Sequence, residues 1–204
     1  MKKYALHRVY YPLNIPMIQI EHLKKTYVGK KHALSRGLVD VSFTLPATGF
    51  VFVLGKSGSG KSTLAKEIED SLTCTSAIIG LDCYYRDHSD LPFEERVHIN
   101  YDEPDIFDFD QLYADIQRLQ GGLPITRKGY DYARHMRADS DELIQPMDVL
   151  ILEGIHMFRD KRITDLMSLK VYMHVDVDVC LLRRIKRDIR VRGRSIENIA
   201  EQYM

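Results

Sequence analysis

The sequence predicts an α/β fold: a parallel sheet flanked by helices, with an antiparallel β ribbon at its N-terminal end. Three observations carry this. The continuous apolar run GFVFVLG (49–55) leads into a glycine-rich loop. Three more runs of buried type follow, AIIGLD (77–82), DVLILEG (148–154) and KVYMHVD (170–176), alternating with helical patterns. Residues 17–22 and 38–44 instead alternate apolar with polar, the pattern of half-exposed strands.

Taken in order, residues 1–16 hold two lysines with no apolar stretch after them, which is not a signal peptide; they are expected to be a loosely ordered leader. Residues 17–48 form the ribbon. The apolar run at 49–55 suits a strand covered on both faces, as in a parallel sheet. Ser62 to Leu72 reads as the following helix, and further helical patterns lie at 107–120, 177–192 and 195–204. Strands alternating with helices imply right-handed crossovers, and ligands of such sheets sit beyond the carboxyl ends of the strands. Asp82, Glu153 and Asp176 all fall at those ends, which points to one site.

The 204 residues suffice for one α/β domain from 49 to 204 beside the ribbon. Lysine plus arginine equals aspartate plus glutamate at 29 each, so no global field draws the chain to nucleic acid or an anionic membrane, and neither is expected as a partner. Three scattered cysteines (Cys74, Cys83, Cys180) show no zinc spacing and fit a reducing cytoplasm. No apolar run approaches the ~20 residues of a spanning helix.

Gly55-Lys56-Ser57-Gly58-Ser59-Gly60-Lys61-Ser62 fits the phosphate-binding pattern GxxxxGKS/T, placed between a buried strand and a helix. Its glycines let backbone N–H groups wrap phosphates, and the helix N-terminus adds partial positive charge. Lys61 is placed to reach the β- and γ-phosphates and the Ser62 hydroxyl to bind Mg²⁺. ATP or GTP with Mg²⁺ is therefore the expected ligand, but the motif leaves the fate of the nucleotide open. The arginine-rich segment is the second strong feature: Arg184 and Arg187 share a helix face, while Arg192 and Arg194 flank Gly193, where a helix would end. Guanidiniums gathered on one face need anions, and triphosphate oxygens would serve.

Two resemblances follow from longer stretches. Residues 17 to about 64 resemble the start of an ATP-binding cassette ATPase of a transporter, which implies an antiparallel ribbon with Tyr27 stacking on adenine. No LSGGQ-like signature, no strand ending in Asp-Glu and no switch histidine follows. From about residue 49 onward the chain resembles the uridine/cytidine kinases. LDCYYRD (81–87), NYDEPDIFD (100–108), YDYARHMR (130–137), LILEGI (150–155) and RRIKRDIRVRGRSIENIAEQY (183–203) match that family's motifs in order.

This second resemblance implies a nucleoside-kinase-like fold and roles for individual residues. Asp82 is the general base, and Glu153 joins Ser62 at Mg²⁺. Asp102 takes the ribose hydroxyls, Tyr130 and His135 the pyrimidine edge, and Tyr85 packs against the nucleoside. Arg184 reaches the nucleoside side, Arg187, Arg192 and Arg194 serve the phosphates, and Gln202 supports the site. The chain departs from the family pattern at Glu103, where a histidine is usual, and at Lys128, where a proline is usual. The family continues beyond its QY with an edge strand and a closing helix, so the chain reads as C-terminally shortened and as a chimera joined at the phosphate loop. The expected activity is phosphoryl transfer to the 5′-hydroxyl of uridine or cytidine, with a small-molecule partner and homo-oligomerisation left open. A nucleotide-binding but inactive remnant and a cassette ATPase fragment are the alternatives.

Overall fold

A computed structural model describes residues 5–7, 17–28, 34–192 and 195–201. The chain divides into two compact units. One comprises 1–55, 60–79 and 147–174, the other 56–59, 80–146 and 175–204.

The first unit holds strands β1 (Ala5–His7), β2 (Met17–Val28), β3 (Leu34–Pro46), β4 (Gly49–Gly55), β5 (Ser76–Gly80), β8 (Val149–Gly154) and β9 (Leu169–Met173), with helices α1 (Lys61–Ser71) and α4 (Lys161–Thr164). Five strands form one sheet in the order β1-β9-β4-β8-β5. β4 pairs in parallel with β8 on one side and β9 on the other, while β1 adds antiparallel to β9. Residues 5–7 thus contribute an edge strand where the sequence reading expects a leader. The central position of β4 follows from its composition. Val51, Phe52 and Val53 alternate between the two faces of the sheet, and all three are fully buried.

The ribbon β2–β3 is antiparallel, from Met17↔Pro46 to Val28↔Leu34. It is longer than the alternation suggests, because register shifts between Ile20 and Thr26 break the period-2 pattern that marks a strand in sequence. His22 sits in this irregular stretch with φ 54°. The ribbon shares the core of the parallel sheet: Ile20, Val41, Phe43 and Leu45 cluster with Val51, Val53, Ile68, Ile151 and Val171. Leucine, isoleucine and alanine on one side of α1 (Leu64, Ala65, Ile68) complete that cluster.

The second unit contains helices α2 (Phe93–Arg96), α3 (Phe109–Gln120), α5 (Val177–Val191) and α6 (Ile196–Glu201) and the antiparallel hairpin β6 (Ile125–Asp131) with β7 (Met136–Ile144). α3 starts two residues later than the apolar pattern does, because the Asp108 carboxylate accepts from the Gln111 N–H at 3.0 Å and caps it. Likewise Asp82 lies in a 3₁₀ turn (Leu81–Tyr84) just past β5, and Asp176 is the N-cap residue of α5, since β9 ends at Met173.

Truncating the central strand should be costly. Phe52→Ala leaves a cavity on a strand enclosed on both sides, and urea unfolding is expected to show a loss of about 3–5 kcal/mol. A loss below about 1 kcal/mol would contradict the placement of Phe52 in the core.

Candidate active site

The phosphate loop follows the central strand β4 without a break. Gly58 and Gly60 have φ of 84° and 95°, a region other residues rarely adopt. A Cβ on Gly58 would lie 2.2 Å from the Cys180 carbonyl oxygen, so the loop is seated against the start of α5 with no room for a side chain. Ser59 N–H donates to the Lys56 carbonyl (3.0 Å), which tightens the turn. Gly60 then becomes the N-cap of α1 without a side-chain cap, leaving the first N–H groups of the helix for a ligand.

Directly after the loop, within the first unit, Lys61, Ser62 and Glu153 meet. The Ser62 hydroxyl donates to Glu153 Oε1 at 2.9 Å, and Lys61 Nζ lies 3.4 Å from Glu153 Oε2. Glu153 is brought there by β8, whose pairing sets it opposite Val53 of β4. No group of three His, Cys, Asp or Glu side chains suited to a metal exists among the described residues. A hydroxyl and a carboxylate make a partial oxygen shell, which suits a hard divalent cation that keeps its waters and shares phosphate oxygens.

The second unit arranges the remaining groups. The Tyr132 hydroxyl donates to Asp82 Oδ2 at 2.6 Å, and Arg192 Nη2 lies 3.7 Å from the same oxygen. The Arg192 guanidinium also stands over the Tyr132 ring, 3.7 Å from its centroid. Asp102 Oδ2 forms an ion pair with Arg184 Nη1, and Arg184 is almost fully enclosed at 4% exposure. On the loop side, Arg187 Nη2 donates to Ser57 Oγ (3.1 Å) and Arg183 Nη1 to the Ser59 carbonyl (3.4 Å).

Between these polar groups lies an aromatic cluster. Tyr85 stacks on Phe107 (centroids 4.6 Å apart) and packs against Tyr130 (4.7 Å) and Tyr101 (5.3 Å). Tyr101 also faces His135 at 5.0 Å. Tyr85 is only 6% exposed, its hydroxyl donating to the Tyr101 carbonyl at 3.2 Å, so it supports this wall from within. Tyr130 is the last residue but one of β6, and His135 precedes β7 with φ 52°, a left-handed conformation that the hairpin turn imposes.

The structure therefore gathers Asp82, Tyr85, Asp102, Tyr130, His135, Arg184, Arg187 and Arg192 in one unit, and Lys61, Ser62 and Glu153 in the other. Arg194 and Gln202 lie outside the described residues, as does the Tyr27 side chain; the Tyr27 backbone pairs with Ser35. Two residues escaped the sequence reading. Tyr132 was legible only as the middle of a motif. Asp188, with no exposed surface, lies amid Arg184, Arg187 and Arg192, and its signal is its isolation as the lone acid among five arginines and a lysine from 183 to 192.

A phosphate loop on a central parallel strand, between that strand and a helix, defines a nucleotide-binding protein of the P-loop class. The phosphoribulokinase / uridine kinase family model matches residues 50–204, and the chain belongs to that family. A uridine kinase of Bacillus velezensis is 46% identical over 153 residues, covering 74% of this chain and 72% of that protein. A uridine kinase of Halobacterium salinarum is 40% identical over 161 residues, covering 79% and 71%. Among solved structures, a candidate fructose transport system kinase from Silicibacter sp. TM1040 shares the fold with a TM-score of 0.60 at 22% identity, over 78% of this chain and 80% of that one.

Two outcomes follow from this geometry. Gly58→Ala forces a strained φ and a clash with the Cys180 carbonyl, so ATP affinity measured by calorimetry is expected to fall at least about tenfold. Undiminished affinity would contradict the loop conformation. Burial, with Asp115 beside Tyr84 and Asp82 beside Tyr85 and Tyr132, holds all three phenols above the ordinary tyrosine value. The stability this contributes is complete below the unfolded value of about 10 and is lost as pH climbs from there toward the folded values. Urea midpoints are expected to fall between about pH 10 and 11.5, with phenolate absorbance of these tyrosines appearing only on unfolding. Ionisation of all tyrosines near the ordinary value in the folded protein would contradict it.

Proposed function

We propose that the chain transfers the γ-phosphoryl group of ATP to the 5′-hydroxyl of a pyrimidine nucleoside, uridine or cytidine, as a step of pyrimidine salvage in the cytoplasm. The observation that carries the reading is the second unit's set of acceptor groups: a carboxylate with a hydroxyl and a guanidinium on one oxygen (Asp82, Tyr132, Arg192), a second carboxylate paired with a buried arginine (Asp102, Arg184), and an aromatic wall. Membership of the family and the uridine kinase relatives support the same acceptor class.

Phosphoryl transfer depends on positioning and on charge stabilisation more than on covalent chemistry. The loop N–H groups and Lys61 bind the donor phosphates, of ATP or alternatively GTP. Ser62 and Glu153 would hold Mg²⁺, which when bound would neutralise phosphate charge. Asp82 accepts the proton of the 5′-hydroxyl as its oxygen bonds to the γ-phosphorus and the bond to the β-phosphate oxygen breaks. Arg187, Arg192 and Arg194 stabilise the charge on the migrating group and its leaving phosphate. Asp102 and Arg184 orient the ribose, Tyr130 and His135 read the base edge, and Gln202 supports them. Tyr85 acts from behind the wall. Exclusion of water by the arginine-rich segment favours the nucleoside over hydrolysis.

We read residues 17–48 as a cassette-type ribbon that precedes the kinase-matched span, with the donor base held either by Tyr27 of the ribbon or by a kinase-type pocket. Its antiparallel register and direct entry into β4 support this reading. The partners proposed are the small molecules alone, with self-association as a further property; among the described residues no helix is long and apolar enough to cross a membrane.

Asp82→Asn is expected to lower kcat for uridine phosphorylation by about 10²–10⁴-fold while leaving ATP affinity within about twofold. Transfer indifferent to Asp82, measured with γ-labelled ATP, would overturn its role as base. ATP binding by the parent chain without transfer to either nucleoside would overturn the kinase reading.

A further inference from the structure

Arg184, Arg187 and Arg192 each divide their guanidinium in the same way. Each turns Nε toward Asp188: Arg187 Nε at 2.6 Å from Oδ1, Arg192 Nε at 3.6 Å from Oδ1, and Arg184 Nε at 3.6 Å from Oδ2. Each sends a terminal nitrogen to a different partner. Arg184 Nη1 goes to Asp102, Arg187 Nη2 to Ser57 of the phosphate loop, and Arg192 Nη2 toward Asp82. Asp188 has no exposed surface, and its spacing on α5 makes this geometry available: four residues after Arg184, one after Arg187 and four before Arg192.

We propose that Asp188 is a positioning residue that fixes all three guanidiniums at once, so that the nucleoside, donor and acceptor groups keep a common register. Three cations this close repel one another, and a single enclosed carboxylate offsets that repulsion, accepting from Arg187 Nε–H at 2.6 Å and facing the Nε edges of Arg184 and Arg192 as ion pairs at 3.6 Å. The Nη edges are thereby left aimed outward. A guanidinium can span the two contacts, whereas a lysine ammonium has no second edge to do so. Asp188 touches none of the reacting atoms; it acts through the arginines.

The assignment of ligands to those outward edges rests on the kinase reading, but the hub itself has a readout free of it. In ¹⁵N–¹H spectra of the parent chain, the Nε–H signals of Arg184, Arg187 and Arg192 are expected to be protected from solvent exchange. In Asp188→Asn, with the melting transition monitored, all three are expected to move together. Movement of the Arg187 signal alone would overturn the hub. The kinetic readout is a KM effect on both substrates: Asp188→Asn raises KM for ATP and for uridine by about tenfold each. The cost of Arg187→Ala in ATP KM then shrinks in the Asp188→Asn background, because the two residues act as one unit. Independent, multiplicative costs would overturn the proposal. Arg187→Lys keeps the protein's charge and Asp188 intact, so it tests the fork even if Asp188→Asn fails to fold. It is expected to behave like Arg187→Ala in ATP KM, and recovery to within about twofold of the parent would refute the hub. An inactive parent with all three Nε–H signals coupled would refute the kinase reading and leave the hub standing.

Discussion

Burial of β4 on both faces is the constraint from which the rest of the first unit follows. A strand whose alternate side chains are all apolar needs cover above and below and a paired strand on each edge. β8 and β9 supply the edges, and α1 with the ribbon covers the face bearing Val51 and Val53 through one shared cluster. The end of such a strand is a fixed platform, and the phosphate loop is attached to it with two left-handed glycines. The pairing that buries β8 also brings Glu153 to Ser62 and Lys61. Folding and ligand placement are thus set by the same hydrogen-bond register.

The second unit is organised by charge. An arginine-rich helix in a chain of zero net charge must find its anions locally. The sequence reading assigned that role to triphosphate oxygens, yet Asp102 and Asp188 already serve it within the protein. Buried arginine forks with carboxylates on one edge hold their remaining donors in defined directions, which a solvated basic helix would not. The aromatic cluster around Tyr85 supplies the dry surroundings in which such contacts count for most.

Elements were legible in the sequence where one physical rule dominated. Apolar runs at 49–55 and 148–154 could be little but buried strands, and the glycine and lysine spacing after the first leaves one backbone solution. The ribbon was seen only in part, because bulges between Ile20 and Thr26 shift the alternation from one face to the other. Asp82 and Asp102 were found through motifs, but their partners were not. Tyr132 reaches Asp82 from a hairpin fifty residues away in sequence, a contact that only the tertiary fold creates. Asp188 looked like one more charge in a charged helix, since burial of a polar side chain leaves no mark in hydropathy when its neighbours are arginines.

The most direct test of the central claim, that a nucleoside rather than water receives the phosphoryl group, is the product balance by ³¹P NMR. Parent chain, ATP·Mg²⁺ and excess uridine are observed to completion. ADP and a nucleoside 5′-monophosphate are expected to form in equal amounts, with turnover of ATP negligible when uridine is left out. Inorganic phosphate released in step with ADP, at a rate the nucleoside does not change, would contradict it.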